Sequence, residues 1–127
     1  MKNSLFYILL LLTISCSSTK EKFLNPEEES PDVYKVLFDN EDVKVLEVIF
    51  APGQSDNMHD HHPMTIHVIK GGKVQGTLPD GTVSEREIPD GFTGHQAKGV
   101  RHQMKNIGNN EMKILLIEEK KPGQKLK

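Results

Sequence analysis

Residues 53–72 read GQSDNMHDHHPMTIHVIKGG and carry four of the six histidines of the chain. Positions 64–69 are mainly apolar and are bounded by turn residues, which is typical of a β-strand. In an extended chain, residues i and i+2 point to the same face, so we expect His59 and His61 to project together. This spacing predicts a pair of imidazoles that meet at one site.

Short apolar segments separated by Gly, Pro, Asn and Asp run through most of the chain. We predict strands at 33–38, 43–50, 64–69, 73–78, 82–88, 92–96, 100–107 and 112–117. Pro79-Asp80-Gly81 lies between two of these segments and predicts a hairpin with the glycine at a positive φ. Short, evenly spaced strands without a long helical period predict an all-β domain, either a sandwich or a barrel.

A second block with histidines, residues 91–106, reads GFTGHQAKGVRHQMKN. Its His102 is distant from His59 and His61 along the chain, so it must come from another strand. We expect two ligands from one strand and a third from a facing strand to surround one divalent ion inside a barrel. The alternative is a barrel that binds no metal and uses the three histidines for polar packing or ligand contacts.

The first block resembles the first sequence motif of the cupin superfamily, G-x5-H-x-H-x3-E-x6-G. The matching residues are Gly53, His59, His61 and Gly72. Thr65 stands where the motif has glutamate. Because that carboxylate is absent, the predicted site has one negative charge fewer, and we expect hard ions such as Mn to bind less firmly.

The second block resembles the second cupin motif, G-x5-P-x-G-x2-H-x3-N. The matching residues are Gly91, Gly99, His102 and Asn106, and Ala97 replaces the proline. Two separate motifs in register are more specific than a single His-x-His pair, and together they span more than half of the predicted domain.

The resemblance implies a single small cupin-type β-barrel, the RmlC-like jelly roll or double-stranded β-helix. It also implies a divalent transition metal, Fe, Zn, Ni or Mn, held by His59, His61 and His102. Cupin-like dioxygenases include three-histidine iron sites, so the resemblance is compatible with oxygenase chemistry as well as with isomerase-type chemistry.

Three further residues are candidates for the same pocket. His67 lies two positions after Thr65, so the same strand parity predicts that both point to the interior. His67 is therefore a candidate fourth ligand in place of the missing glutamate. Thr65 and His95 are expected to line the pocket, and the alternative for His67 and His95 is a hydrogen-bonded polar role. The orientation of Arg86 in its strand is left open.

The N-terminus is typical of an export signal. Residues 1–15, MKNSLFYILLLLTIS, combine Lys2 with an apolar run that is too short to span a membrane. Cys16 follows directly, and this junction resembles the lipobox of bacterial lipoproteins, although Thr13 departs from it. The resemblance implies lipidation of Cys16 and a chain anchored to the cell envelope, at the outer membrane or the periplasmic face. The alternative is an ordinary cleaved signal with an incidental cysteine.

The remaining chain divides into three parts. Residues 16–31 are polar, contain an acidic run and are predicted to form a flexible tether. Residues 32–121 are predicted to be the cupin domain, and residues 122–127 a disordered tail. The first strand, 33–38, is the candidate edge for a homodimer.

Composition narrows the function classes. The net charge of −2 offers no basic surface for nucleic acid, and a single cysteine excludes an internal disulfide. Three functions stay open: a metal-dependent enzyme acting on a small molecule, a small-molecule or metal-binding and sensing module, and a metal-free cupin scaffold. The expected partners are a small-molecule ligand, and the membrane through the lipid anchor only.

Overall fold

The computed structural model describes residues 21–121. The predicted signal peptide 1–15, Cys16 and the predicted tail 122–127 lie outside the described residues. The described part consists of one short helix followed by nine strands. Within residues 21–121, no helix has the length and apolar character needed to cross a membrane.

The elements are α1 (Pro26–Glu29), β1 (Tyr34–Asp39), β2 (Val43–Phe50), β3 (His59–His61), β4 (Met64–Lys70), β5 (Gly72–Thr77), β6 (Val83–Ile88), β7 (Thr93–Gln96), β8 (Val100–Asn106) and β9 (Met112–Glu119). The strands form a five-stranded sheet with the order β1-β2-β9-β4-β7 and a four-stranded sheet with the order β3-β8-β5-β6. The prediction of an all-β barrel is confirmed, and β3 is a strand that was not predicted as one.

The hydrophobic core follows from the alternation of β2, VKVLEVIF. Leu46, Val48 and Phe50 are at most 3% exposed, while the residues between them are half-buried. β2 pairs with β9 along its whole length, which places Met112 and Leu116 in the same core. Burial of side chains of this size stabilises the fold by about 1.5–3 kcal/mol each.

The predicted hairpin is present between β5 and β6. Gly81 has φ +85°, a conformation that side chains other than glycine rarely adopt. The Asp80 carboxylate accepts a hydrogen bond from the backbone N–H of Thr82 and so stabilises the turn. The hairpin places β6 at the edge of the four-stranded sheet.

The prediction of a flexible tether over 16–31 needs correction for residues 24–31. The backbone N–H of Leu24 donates to the Asp60 carboxylate at 2.7 Å, and the Leu24 carbonyl accepts from the Asp60 N–H. Glu27, in the acidic run, pairs with the Lys44 ammonium at 2.6 Å. Composition suggested a solvated spacer, but partners supplied by β2 and β3 order this segment against the barrel.

Candidate metal centre

The three predicted histidines meet at one point. β3 pairs antiparallel with β8, and this register sets His59 directly opposite His102. Gly99 precedes β8 and lies so close to the His61 carbonyl that a Cβ at this glycine would be 2.9 Å from the oxygen. The ligand atoms of His59, His61 and His102 all lie within 4.8 Å of one another. The predicted trio is thus brought together, although His102 comes from the neighbouring strand and not from a facing one.

Hydrogen bonds at Nδ1 fix the orientation of two of the rings. His59 Nδ1 lies 2.7 Å from the Asn57 carbonyl oxygen, which can only accept, so this nitrogen carries the hydrogen. His61 Nδ1 lies 2.5 Å from Glu118 Oε1 and donates to this side chain when the carboxylate is ionised. Both Nε2 atoms are therefore left with unshared electron pairs, the arrangement that metal-ligating histidines adopt.

The three Nε2 atoms lie close together, and one of them has no protein partner among the described residues. The Nε2 atoms of His59 and His61 are 2.8 Å apart, and two unshared pairs at this distance repel each other. His102 Nε2 is buried and has no hydrogen-bond partner among the described residues. An ion placed between the three nitrogens would satisfy all of them, so the residues present fit a divalent transition metal.

Burial keeps two of the rings in the form that binds metal. The pKa of His61 is lowered to about 3, first by burial and then by the charge of His59. Burial also lowers the pKa of His102 to about 3, with smaller contributions from the neighbouring histidines and from Arg86. Both imidazoles are therefore neutral at pH 7, and neutral imidazole is the ligand form.

A buried carboxylate supports His61 from behind. Glu118 is fully buried in β9, and burial raises its pKa to about 7. A positive ion on the far side of the His61 ring would favour the ionised carboxylate, and the carboxylate in turn makes the imidazole a better donor to metal. Glu118 was not among the residues predicted from the sequence. A signal was present in the sequence, because Glu118 has the same strand parity as the buried Met112 and Leu116.

A tyrosine and an aspartate border His59. Tyr34 Oη donates to Asp56 Oδ2 at 2.7 Å and lies 3.2 Å from His59 Nε2. Asp56 also accepts the backbone N–H of Met104 at 2.6 Å. Burial and the nearby Asp56 raise the pKa of Tyr34 well above its usual value, so the phenol stays protonated. Neither residue was predicted from the sequence, and no periodic pattern marks Asp56 in its loop.

Two of the three histidines, His61 and His102, line a cavity of about 330 Å³, which we call the histidine cavity. Its lining includes His61 and His102, the thioethers of Met64 and Met104, and apolar side chains of β2, β4, β5 and β9. A volume of this size accommodates a small molecule, and a mostly apolar wall with a few polar groups is typical of ligand sites.

The predictions for Thr65 and His67 are wrong. In β4 the residues that line the histidine cavity are Met64, Ile66 and Val68. Thr65 and His67 alternate with them and therefore lie on the outer face, where His67 Nδ1 is 2.8 Å from the Thr93 hydroxyl. His67 is not part of the histidine cluster and does not replace the missing glutamate.

His95 lines the histidine cavity, as predicted, and also makes the hydrogen-bonded contacts of the alternative prediction. β7 pairs with β4 so that His95 is opposite Thr65, and directly opposed residues share a face. The imidazole is about half exposed and lies 3.4 Å from the Thr65 hydroxyl and 3.8 Å from Glu119. His95 is not part of the cluster of His59, His61 and His102.

Comparison with solved structures identifies the fold. A cupin domain from Bordetella pertussis Tohama I is 25% identical, with a TM-score of 0.64, and the match covers 80% of this chain and 100% of that one. An RmlC-like cupin with a double-stranded β-helix from Methanocaldococcus jannaschii is 18% identical over 68% of this chain and 78% of that chain, with a TM-score of 0.55. The polyketide cyclase RemF from Streptomyces resistomycificus is 20% identical over 72% of this chain and 66% of that chain, with a TM-score of 0.51.

No protein-family model and no curated protein sequence matches the chain. The fold is therefore identified by structural similarity, which agrees with the two sequence motifs that contain the histidines. The chain has the cupin jelly-roll fold, with a cluster of His59, His61 and His102 that could hold a metal.

Proposed function

We propose that this chain is a metal-binding cupin protein of the cell envelope that holds one divalent transition metal and binds a small molecule beside it. The observation that carries the proposal is the convergence of three imidazole nitrogens, two of them with their unshared pairs exposed by Nδ1 hydrogen bonds. Because His61 and His102 line the histidine cavity, a ligand in that cavity has access to the ion.

The donor set favours particular ions. Three imidazoles without a carboxylate suit Fe, Zn or Ni better than Mn, which prefers oxygen ligands. Three protein ligands also leave coordination positions open, as catalytic sites require. Such an ion, when bound, supplies a Lewis acid, or an oxygen-binding centre if it is iron.

The described side chains have separable roles in this proposal. Glu118 holds the proton on His61 Nδ1, and the Asn57 carbonyl holds the one on His59 Nδ1. Tyr34 donates to Asp56 and keeps an uncharged hydroxyl beside the metal position. The apolar wall of the histidine cavity excludes water from the ligand. If the protein is an enzyme, we propose that it catalyses an oxygenase or isomerase-type reaction on the bound molecule.

The second candidate function is binding or sensing of a metal or small molecule without turnover. It is favoured by the absence, among the described residues, of a carboxylate in the metal cluster. Glu118 and Asp56 are engaged behind the histidines, so neither is placed to act as a general base on a bound molecule. The polyketide cyclase among the structural neighbours does not decide between these functions, because its similarity concerns the fold alone.

Elemental analysis of the purified chain tests the metal site. We expect about one metal per chain in the wild type and none in the His59→Ala/His61→Ala double variant. His67→Ala is the matched control, because it removes an imidazole from the outer face of the same barrel. No metal in the folded wild-type chain after reconstitution would overturn the proposal and leave a metal-free scaffold.

We also propose that Cys16 carries the lipid that keeps the protein at the envelope. The support is the apolar run of residues 1–15 that ends directly before the only cysteine. Fractionation of cells that express Cys16→Ser is the test. We expect the variant to leave the membrane fraction, and retention equal to the wild type would contradict lipid anchoring.

We also propose that two copies of the chain form a homodimer through β1, because apolar side chains of this strand are exposed. β1 is an edge strand, and its Val36, Leu37 and Phe38 are 40%, 48% and 52% exposed. Apolar side chains on an unpaired edge are typical of an interface. Light scattering should give a dimer for the wild type and a monomer for Leu37→Lys, whereas a wild-type monomer would contradict the interface.

A further inference from the structure

Arg86 is a cation on the inner face of the barrel. It lies in β6, directly opposite Val74 of β5, and opposed residues of an antiparallel pair share a face. Val74 is 2% exposed and lines the histidine cavity, as does Arg86. Arg86 also lines a smaller neighbouring cavity of about 210 Å³ that shares His102 with the first. Arg86 is exposed to solvent, and it borders the cavity that His61 and His102 also line.

The charge of Arg86 has no partner among residues 21–121. The structure gives it no ion pair and no hydrogen bond from its side chain to a described residue, although Glu87 follows it. Glu87 is opposite Lys73 in the strand pair and also borders the histidine cavity, but it makes no ion pair with Arg86. Arg101, by contrast, is held by Asp60 at 2.7 Å and by Glu21. A guanidinium that faces a cavity with all its donors free is suited to bind an anion.

The rest of the histidine cavity limits what that anion can be. Its apolar lining includes Val48, Phe50, Ile66, Val68, Ile114 and Leu116. A strongly hydrated polyanion would lose its water against this wall without compensation. An apolar body with a single carboxylate would bury its body there and present its charge to one guanidinium.

We propose that the histidine cavity binds a small carboxylate with an apolar body, and that Arg86 recognises the carboxylate. The inference rests on the proposed function only in placing the ligand beside a metal, because the Arg86 contact does not require the ion. Arg86 is the residue that determines specificity for acids over neutral analogues.

Titration of the full chain with benzoate and with benzamide, followed by NMR chemical shifts, tests this specificity. The two probes have similar shape and differ in charge. We expect saturable benzoate binding that is roughly tenfold or more weaker in Arg86→Gln, partly restored in Arg86→Lys, and tighter than benzamide binding to the wild type. Lys105→Gln is the matched control, because Lys105 is an exposed cation in β8 next to the inward-facing Met104, and it should bind benzoate like the wild type.

Titrations of zinc-loaded and metal-free protein separate this inference from the proposed function. Arg86-dependent benzoate binding by a chain that takes up no zinc would support the carboxylate site and overturn the metal site. Zinc uptake with benzoate binding equal in wild type and Arg86→Gln would overturn the role of Arg86. Benzamide binding as tight as that of benzoate, or no saturable benzoate binding by either form of the wild type, would also overturn it.

Discussion

Two groups of histidines in this barrel project from opposite faces of their strands. The inner group, His59, His61 and His102, is buried or half-buried and has its ring nitrogens directed at one another. The outer group, His67 and His95, bonds to threonine hydroxyls on the opposite side of the five-stranded sheet. All five lie in the two motif blocks. A shift of one residue along a strand therefore decides whether a histidine points to the candidate metal site or to the surface.

The difference arises in the turn between β3 and β4. His59 and His61 point inward at odd-numbered positions of β3, whereas Met64 and Ile66 point inward at even-numbered positions of β4. Residues 62–63 lie between the two strands and shift the parity by one. Pro63 lies in this turn. Because proline has no N–H to donate to a neighbouring strand, it favours an end of strand pairing at this point.

The largest expected contrast between the groups is in stabilisation by metal. Zinc at a hundredfold excess over its dissociation constant should raise the midpoint of thermal unfolding of the wild type by roughly 10 °C or more, because it binds only the folded state. The His59→Ala/His61→Ala variant should show almost no rise. A scan of thermal unfolding with and without zinc measures both.

The outer-face variant His67→Ala/His95→Ala is the control for this contrast. It removes the same number of imidazoles, so it corrects for weak binding of zinc to exposed histidines. We expect its rise to equal that of the wild type. A rise that is lost in both double variants would show that the outer histidines also hold metal, contrary to the outward parity of His67 in β4 and His95 in β7.

The sequence predicted the part of this arrangement that depends on local pattern. Strand alternation located the sheets, and the i, i+2 spacing paired His59 with His61. The sequence does not show which positions of β4 face the interior, because this depends on how the chain turns at Pro63. His67 was therefore wrongly assigned to the interior. The contacts of His61 with Glu118 and of Leu24 with Asp60 join residues 57 and 36 positions apart, so their pairing could not be assigned from local pattern.

A smaller contrast is expected between adjacent glutamates of β9. Glu118→Gln should weaken metal binding by roughly 10–100-fold, because the carboxylate that accepts the His61 Nδ1 proton is lost. Glu119→Gln, at an outward position with its side chain 41% exposed, should bind metal like the wild type. Competition with a chelator measures both affinities. Equal affinities in the two variants would show that Glu118 does not support the metal ligand.

The smallest contrast compares an inner and an outer hydroxyl in the metal-free protein. Tyr34→Phe keeps the ring, which packs 5.1 Å from that of His59, but removes the donor to buried Asp56. We expect a loss of roughly 1–3 kcal/mol in the free energy of unfolding, because Asp56 loses one of its hydrogen bonds. Thr93→Val removes the exposed partner of His67 and should change stability by about 0.5 kcal/mol or less.

Urea denaturation of both variants measures this difference. Because no metal is present, a loss confined to Tyr34→Phe would assign the stabilising role to the Tyr34–Asp56 hydrogen bond and not to metal binding. Equal, small changes in the two variants would contradict it. They would mean that the inner hydroxyl contributes no more to folding than one on the solvent face, and that burial of Asp56 is satisfied by the Met104 N–H alone.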